Sequence, residues 1–267
     1  VSEKEKEEIK QKAKQIMDIP IIFEDDYILV INKPAGIVVN DSETQKGKLT
    51  IQGWLAEKYS NVFNQKSDDP DSFYGRNGIV HRIDKETSGV LIIAKSQEAF
   101  QKLQAQFKDR EVGKKYLAWV YGKFITDEID KEITVDAPIA RNPKRREKFA
   151  VVEGGKPAVT IFRLKKTQTA PDTPDKRVQA KDGEILSLIE CEPKTGRTHQ
   201  IRVHLTALGN AVIGDKLYSG KKHIRRDKDL YERQYLHASE IEFEHPITNE
   251  VLKLTAPLPQ DMETVTL

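Results

Sequence analysis

Residues 78–95 have the sequence GIVHRIDKETSGVLIIAK, in which two apolar runs enclose a polar centre. The second apolar run is short and rich in β-branched residues, which is typical of a strand in a sheet core. Residues 81–89 then form a loop mounted between strands, where reactive side chains often lie. Asp84 follows Arg82 and precedes Lys85, whose positive charges would keep the Asp84 carboxylate ionised for use as a nucleophile or general base. The alternative is that Asp84 caps a turn and pairs with Lys85 at the surface, and spacing alone favours this alternative.

Short apolar runs on both sides of this stretch predict a sheet with few helices. Strands are predicted at residues 21–23, 27–31, 37–39, 115–122, 132–139, 185–191 and 251–254, with further strand material, broken by a turn, in residues 149–164. Helices are predicted at residues 4–17, 49–59 and 198–208, and a further helix from an N-cap at Ser96 through a stripe of Phe100, Leu103 and Phe107. Residues 61–77 are predicted to be an exposed loop, and residues 167–182 are predicted to be the long, mobile tip of a hairpin. This succession indicates an α+β fold with a mainly antiparallel sheet.

A second polar segment, residues 192–205, joins a basic loop to the start of a predicted helix. Thr198 is a plausible N-cap, and Ile201 and Leu205 belong to the buried stripe of that helix. His199 and Arg202 lie three residues apart on another flank, so both side chains could face one ligand. A basic loop at a helix N-terminus is also suited to phosphate. A solvated, basic helix start accounts for the segment equally well.

A third segment, residues 114–122, predicts a strand with an aromatic residue on each face. Alternation places Tyr116, Ala118 and Val120 on one face of the strand and the bulkier residues between them on the other. Tyr116 could offer a stacking surface for a nucleic-acid base. Packing of this aromatic ring in the core is the commoner arrangement, and both interpretations stay open here.

Composition excludes several classes of protein and of site. The chain has 267 residues, 44 Lys plus Arg, 42 Asp plus Glu and one cysteine. The single cysteine, Cys191, rules out an internal disulfide framework and a multi-cysteine zinc site, and its place in a strand predicts a buried small hydrophobe. The six histidines show no recognisable metal spacing, and the longest apolar runs are far shorter than the roughly 20 residues that a membrane span needs.

Taken together, these segments resemble the RluA family of RNA pseudouridine synthases. The family signature HR-[LI]-D-x-x-T-S-G is matched by residues 81–89. Further matching segments, in the family's order, are residues 32–36, 115–122, 194–205, 208–210, 214–215 and 236–238. The resemblance implies a pseudouridine synthase fold, a mainly antiparallel mixed sheet flanked by helices and loops. It divides the chain into an N-terminal helical extension, residues 1–20, and a catalytic domain, residues 21–267. Since only about 20 residues precede the first strand, which is too few for an S4-type RNA-binding domain, it indicates the form without that domain.

The resemblance also implies a role for four side chains. Asp84 falls on the family's catalytic aspartate, Tyr116 on the tyrosine that stacks on the target base, and Arg202 on the basic residue that pairs with the aspartate. Arg82 falls on the arginine that fills the gap left by the flipped-out nucleotide. The implied reaction breaks the N1–C1′ bond of uridine, rotates the uracil and rejoins it through C5, and it requires no metal and no cofactor.

Other predictions concern partners and alternatives. The expected partner is RNA, ribosomal or transfer RNA, the expected state a monomer and the expected location the cytoplasm. A non-catalytic RNA-binding or ribosome-assembly factor that keeps the pocket is the main alternative, and a glycoside hydrolase is disfavoured because no second acid stands out near the loop. Positive charge is concentrated at Arg82 and in residues 141–148, 194–202 and 221–226, which predicts a basic face around one carboxylate.

Overall fold

A computed structural model describes residues 19–41, 49–65, 67–169, 185–227, 231–263 and 265 of the chain. They fall into two units: unit 1 comprises residues 1–112 and 241–256, and unit 2 comprises residues 113–240 and 257–267. The predicted helix at residues 4–17 and most of the predicted loop at residues 167–182 lie outside the described residues. The division into an extension, residues 1–20, and one catalytic domain therefore stays a prediction.

Unit 1 is built on antiparallel strands, of which β2 and β3 are buried. Its strands are β1 (Ile21–Glu24), β2 (Ile28–Lys33), β3 (Ser88–Ala94) and β11 (Val251–Thr255). β2 pairs with β3 from Ile28 opposite Ala94 to Lys33 opposite Gly89. Every residue of β3 is buried, as the second apolar run of residues 78–95 predicts.

Two helices complete the described part of unit 1, and the N-cap predicted at Ser96 is confirmed for the second of them. Helix α1 (Ile51–Lys58) is capped by Thr50, whose Oγ1 accepts the Gly53 N–H at 2.9 Å. Helix α2 (Gln97–Asp109) is capped by Ser96, whose Oγ accepts the Ala99 N–H at 3.2 Å. The stripe predicted for α2 is confirmed at Phe100 and Leu103, which are buried.

The predicted exposed loop at residues 61–77 differs from the structure at its aromatic residues. Phe63 and Phe73 are buried, with ring centroids 5.6 Å apart, and Phe73 also contacts Phe100 of α2. The loop ends at Gly78 with φ +70°, where a Cβ would lie 1.9 Å from the Ala94 carbonyl oxygen. Only glycine allows this close approach. The prediction of an exposed loop, which is based on polar composition, is therefore wrong for the buried Phe63 and Phe73.

Unit 2 contains a second antiparallel set of strands and a separate hairpin. The strands lie in the order β4 (Gly113–Tyr121), β9 (Ile185–Pro193), β8 (Val159–Thr169) and β5 (Glu132–Asp136). Strand β10 (Leu236–Glu244) has its first five residues in unit 2 and its last four in unit 1. The hairpin consists of β6 (Ile139–Arg141) and β7 (Phe149–Val151). Helices are α3 (Gln200–Ala207), α4 (Lys221–Asp227) and α5 (Gln260–Glu263).

The alternation predicted for residues 114–122 is confirmed in β4. Ala118 and Val120 belong to one core cluster, against which Tyr116 packs, and Trp119 and Tyr121 belong to another. The Trp119 Nε1–H donates to the Met262 carbonyl at 3.0 Å, so the buried indole is satisfied. Each face of β4 therefore contributes to a separate hydrophobic core.

The predicted helix at residues 198–208 begins later than expected, and Thr198 is not its N-cap. Helix α3 follows His199, which has a left-handed backbone with φ 56° and makes no side-chain cap. The Gln200 side chain accepts from Thr195 Oγ1 at 2.6 Å and donates to the Val159 carbonyl at 2.9 Å. These bonds hold the preceding loop against β8, which delays the first helical turn.

The predicted strand at residues 132–139 is also divided. Strand β5 ends at Asp136, and Ile139 starts the β6–β7 hairpin, where its N–H donates to the Lys156 carbonyl at 2.9 Å. Pro138 between the two segments lacks an N–H for the ladder, which explains the break. The α+β class with a mainly antiparallel sheet is confirmed, and the helices among the described residues are too short or too polar to cross a membrane.

Candidate active site

The loop that carries Asp84 is anchored in unit 1 at its first residue. His81 Nε2 accepts the Ile92 N–H of β3 at 3.0 Å, and the His81 ring stacks on Phe107 with centroids 4.6 Å apart. An imidazole that accepts at Nε2 carries its proton at Nδ1 when neutral. The start of the loop is therefore tied to the core strand that follows it.

The same loop is anchored just after Asp84 by a buried lysine. Lys33, 0% exposed, donates from Nζ to the carbonyls of Pro34, Ile37 and Lys85 at 2.8, 2.9 and 3.1 Å. The Gly36 N–H also donates to the Lys85 carbonyl, at 2.9 Å. The matching segment at residues 32–36 thus fixes the backbone next to Asp84.

Asp84 itself is half-buried, between the buried Ile83 and the exposed Lys85. The Thr87 N–H donates to the Asp84 carbonyl at 3.1 Å, which closes a turn. Arg82 is exposed, and Lys85 forms an ion pair with Glu86 at 3.3 Å. The carboxylate of Asp84 is therefore carried on a turn whose backbone is fixed on both sides, as a reacting group requires.

Tyr116 lies in β4 of unit 2, opposite Cys191 of β9. It packs against the core cluster that also contains Ile201 of α3, so Tyr116 and α3 lie on the same face of this sheet. Burial and the charge of Lys194 lower the pKa of Lys114, two residues before Tyr116. Cys191 is buried, as predicted, and burial raises the pKa of its thiol well above the ordinary value, so it is no nucleophile.

Arg202 is buried in α3 and makes a two-point ion pair with Asp215. Nε donates to Oδ2 at 2.7 Å and Nη2 to Oδ1 at 3.0 Å. The Arg202 guanidinium also lies over the Tyr218 ring, with Cζ 4.9 Å from the ring centroid. Asp215 is 1% exposed. The sequence pattern assigns it no role, although a buried arginine requires a carboxylate partner and Asp215 stands in a matching segment.

The flank shared by His199 and Arg202 is found in the structure, and Tyr218 connects the two. His199 Nδ1 lies 2.8 Å from the Tyr218 hydroxyl, whose ring covers Arg202. The Tyr218 oxygen also accepts the Phe149 N–H of β7 at 2.9 Å. His204, by contrast, points into the core between Thr160 Oγ1 and the Ala137 carbonyl, and burial lowers its pKa.

Two of the predicted basic stretches meet in unit 2 around Tyr218. Lys148 Nζ lies 5.7 Å from the centroid of the Tyr218 ring, and the same ring also contacts Arg202. Arg141 lies over Phe149 at 5.2 Å, and Phe149 contacts the His199 ring. The β6–β7 hairpin and the start of α3 therefore form one basic surface, whereas Arg82 belongs to unit 1.

The four predicted site residues are divided between the two units. Asp84 and Arg82 belong to unit 1, and Tyr116 and Arg202 belong to unit 2. The pairing of Arg202 with Asp84 stays a prediction. Among the described residues, no group of three or more His, Cys, Asp or Glu side chains is placed to hold a metal ion.

Comparison with known proteins relates the chain to enzymes that modify RNA. A family model described as RNA pseudouridylate synthase matches residues 27–207. The chain is 38% identical over 251 residues to ribosomal large subunit pseudouridine synthase D of Nitrosomonas europaea, covering 93% of this chain and 64% of the relative. It is 38% identical over 256 residues to the protein of the same name from Zymomonas mobilis, covering 92% of this chain and 72% of the relative.

The solved structures agree at the level of the fold. The structure of human RNA pseudouridylate synthase domain containing 1 has a TM-score of 0.69 to this chain, with 24% sequence identity, and covers 94% of this chain and 88% of the human chain. This similarity confirms the predicted fold class. This chain spans less than two thirds of the length of the Nitrosomonas relative, 64%.

Proposed function

Because this chain belongs to the RNA pseudouridylate synthase family, whose members are isomerases that act on uridine in RNA, we propose that it forms pseudouridine at specific positions of a structured RNA with Asp84 as its catalytic carboxylate. The observation that carries this assignment is the anchored turn of Asp84. Lys33 and His81 hold the backbone on either side of a half-buried carboxylate, within the family signature.

In the proposed reaction, Asp84 acts on the ribose of the target nucleotide. It either attacks C1′ as a nucleophile or removes the C2′ proton, and the N1–C1′ bond breaks in both routes. The detached uracil rotates and C5 bonds to C1′; in the nucleophilic route this breaks the Asp84–C1′ bond, and in the other route C2′ regains its proton. The C5 proton then leaves and N1 takes up a proton, so the product is an isomer of the substrate. These steps need a fixed carboxylate and a closed pocket, and the target base must first leave its stack, at a cost of a few kcal/mol.

Tyr116 and Arg202 are proposed to serve the base and the carboxylate. The Tyr116 ring would stack on the uracil and hold it while it rotates, a contact worth about 1–3 kcal/mol. Arg202 would pair with Asp84, and the buried position of Arg202 supports this role because a desolvated arginine interacts strongly with a carboxylate. Arg82, exposed beside Asp84, would occupy the gap left by the flipped nucleotide.

The basic surface of unit 2 is proposed to bind the phosphate backbone of the RNA. Residues 142–148 connect β6 to β7, and the side chains of Lys144, Arg145 and Arg146 are exposed. Such charges bind phosphates without reading bases and make affinity depend on salt. We propose large-subunit ribosomal RNA as the substrate, because both bacterial relatives are named ribosomal large subunit pseudouridine synthase D. We propose a monomer in the cytoplasm as the working form.

The experiment measures pseudouridine directly. Purified protein is incubated with transcripts of large-subunit ribosomal RNA and, separately, with transfer RNA, and digested nucleosides are quantified by mass spectrometry. We expect product on the ribosomal RNA, none from Asp84→Asn, and normal product from Asp109→Asn, an exposed carboxylate at the end of α2. RNA binding by Asp84→Asn should persist.

Two outcomes would contradict the proposal. Product from Asp84→Asn would exclude Asp84 as the reacting carboxylate. Binding without product by the wild-type chain on every RNA would favour the non-catalytic factor, and product on transfer RNA alone would correct the substrate.

A further inference from the structure

The Asp215 carboxylate is held by backbone N–H groups of its own turn as well as by Arg202. Its Oδ1 accepts the N–H groups of Leu217 and Tyr218 at 2.9 and 3.0 Å, and the Ser219 N–H donates to the Asp215 carbonyl at 3.1 Å. Oδ1 also accepts from Arg202 Nη2, and Oδ2 accepts from Arg202 Nε. A buried carboxylate with these four hydrogen bonds has one orientation available to it.

The arginine is held from a second direction by Tyr218. Asp215 contacts the guanidinium in its plane, and the Tyr218 ring covers one face of it. The ring is itself fixed, since its backbone N–H binds Asp215 and its hydroxyl binds Phe149 and His199. Together they prevent rotation of the guanidinium, and the N–H groups at Nη1 lie outside the pair with Asp215.

We propose that Asp215 is the positioning residue of Arg202, which it orients for the reaction without touching the substrate, and that the Tyr218 ring assists it. This inference rests on the proposed function, in which Arg202 pairs with the reacting carboxylate. Arginine has three rotatable bonds beyond Cβ, and a group misplaced by about 1 Å costs about 10²-fold in rate. Holding Nε and Nη2 removes that freedom before RNA binds.

The test uses Asp215→Asn in the full-length chain. Asparagine keeps the Oδ1 oxygen that accepts from the Leu217 and Tyr218 N–H groups and from Arg202 Nη2. It presents an amide N–H₂ to Arg202 Nε in place of Oδ2 and removes the negative charge, so the two-point ion pair with Arg202 is lost. We expect kcat on ribosomal RNA to fall about 10²-fold, with a change in KM of less than about threefold.

Asp261→Asn is the matched control. Asp261 makes the same kind of two-point pair with buried Arg233 in unit 2, with Nε–Oδ2 at 2.5 Å and Nη2–Oδ1 at 2.8 Å. This variant should lose thermal stability and keep its kcat, which separates positioning from a general loss of a buried ion pair.

A double-mutant cycle then asks whether Asp215 acts through Arg202. Arg202→Lys keeps the charge but cannot make the two-point pair. We expect Asp215→Asn to reduce kcat in the wild-type background and to have little further effect in the Arg202→Lys background. An equal reduction in both backgrounds, or a wild-type kcat for Asp215→Asn, would overturn the inference.

Two further arms keep the result interpretable. If Asp215→Asn does not fold, the cycle is run with Tyr218→Leu, which removes the ring over Arg202, and the same equal reductions would overturn the inference. If Arg202→Lys retains wild-type kcat, the proposed role of Arg202 fails and the positioning role fails with it. If Arg202→Lys is impaired while Asp215→Asn is not, only the positioning role fails.

Discussion

Replacement of Lys33 by methionine should loosen the loop that carries Asp84. The change removes three hydrogen bonds from a buried ammonium but keeps a side chain of similar length. The carbonyls of Pro34 and Ile37 lose the ammonium donor, while the Lys85 carbonyl keeps the Gly36 N–H. Two part-buried acceptors that lose their donor cost up to about 1–3 kcal/mol each. Because methionine avoids the cost of burying a charge, we expect a net destabilisation of about 2–4 kcal/mol.

Hydrogen exchange measures this effect where it arises. At 1.4 kcal/mol per factor of ten, protection of the Gly36 amide should fall roughly 30- to 700-fold in Lys33→Met, as should that of amides in the Asp84 turn. Urea unfolding monitored by tryptophan fluorescence measures the loss in the free energy of unfolding of the whole chain. Pseudouridine formation should fall as well, because the backbone beside Asp84 is no longer fixed.

Lys58→Met is the matched control for this substitution. Lys58 is exposed at the end of α1, where its ammonium lies 5.1 Å from the Trp54 ring. Its replacement should change stability by less than about 1 kcal/mol. Unchanged protection at Gly36 in Lys33→Met, or equal losses in the two variants, would refute the role assigned to Lys33.

The remaining predictions concern pH and RNA binding. Burial lowers the pKa of His204 below its ordinary value of 6.5, so the unfolded chain binds a proton at His204 more tightly than the folded chain does. The contribution of His204 to stability is therefore complete above about pH 6.5 and is lost as the pH falls from there towards the lowered pKa. Urea unfolding between pH 7.5 and 5 should show a shallower loss of stability in His204→Gln than in the wild type, by at most about 1.4 kcal/mol per pH unit, and identical slopes would contradict this. Simultaneous Lys144→Ala and Arg146→Ala should weaken RNA binding and reduce the slope of log K against log salt by about 1 to 2, measured by filter binding. The control variant combines Lys131→Ala and Lys165→Ala. Both lysines are exposed and already paired, with Glu128 and Asp130 respectively, so this variant should leave that slope unchanged.

Sequence patterns of short range were sufficient for much of the fold. Alternation in residues 114–122 placed Tyr116 and Trp119 on opposite faces of β4, and the cap at Ser96 located the start of α2. Each of these features depends on neighbours within a few residues, so a short stretch of sequence is sufficient to predict it. Recognition of the signature at residues 81–89 identified the family, and through it the proposed role of Asp84.

Features that depend on distant partners were not predictable in this way. The late start of α3 follows from the bonds of Gln200 to β8, and the burial of Phe63 and Phe73 follows from the surface they pack against. Nothing in the spacing of residues 202 and 215 distinguishes Asp215 from the other acids as the partner of Arg202. That pairing, and the meeting of the β6–β7 hairpin with α3 at Tyr218, result from long-range packing, in which a buried charge or hydroxyl takes whichever partner the folded chain brings to it.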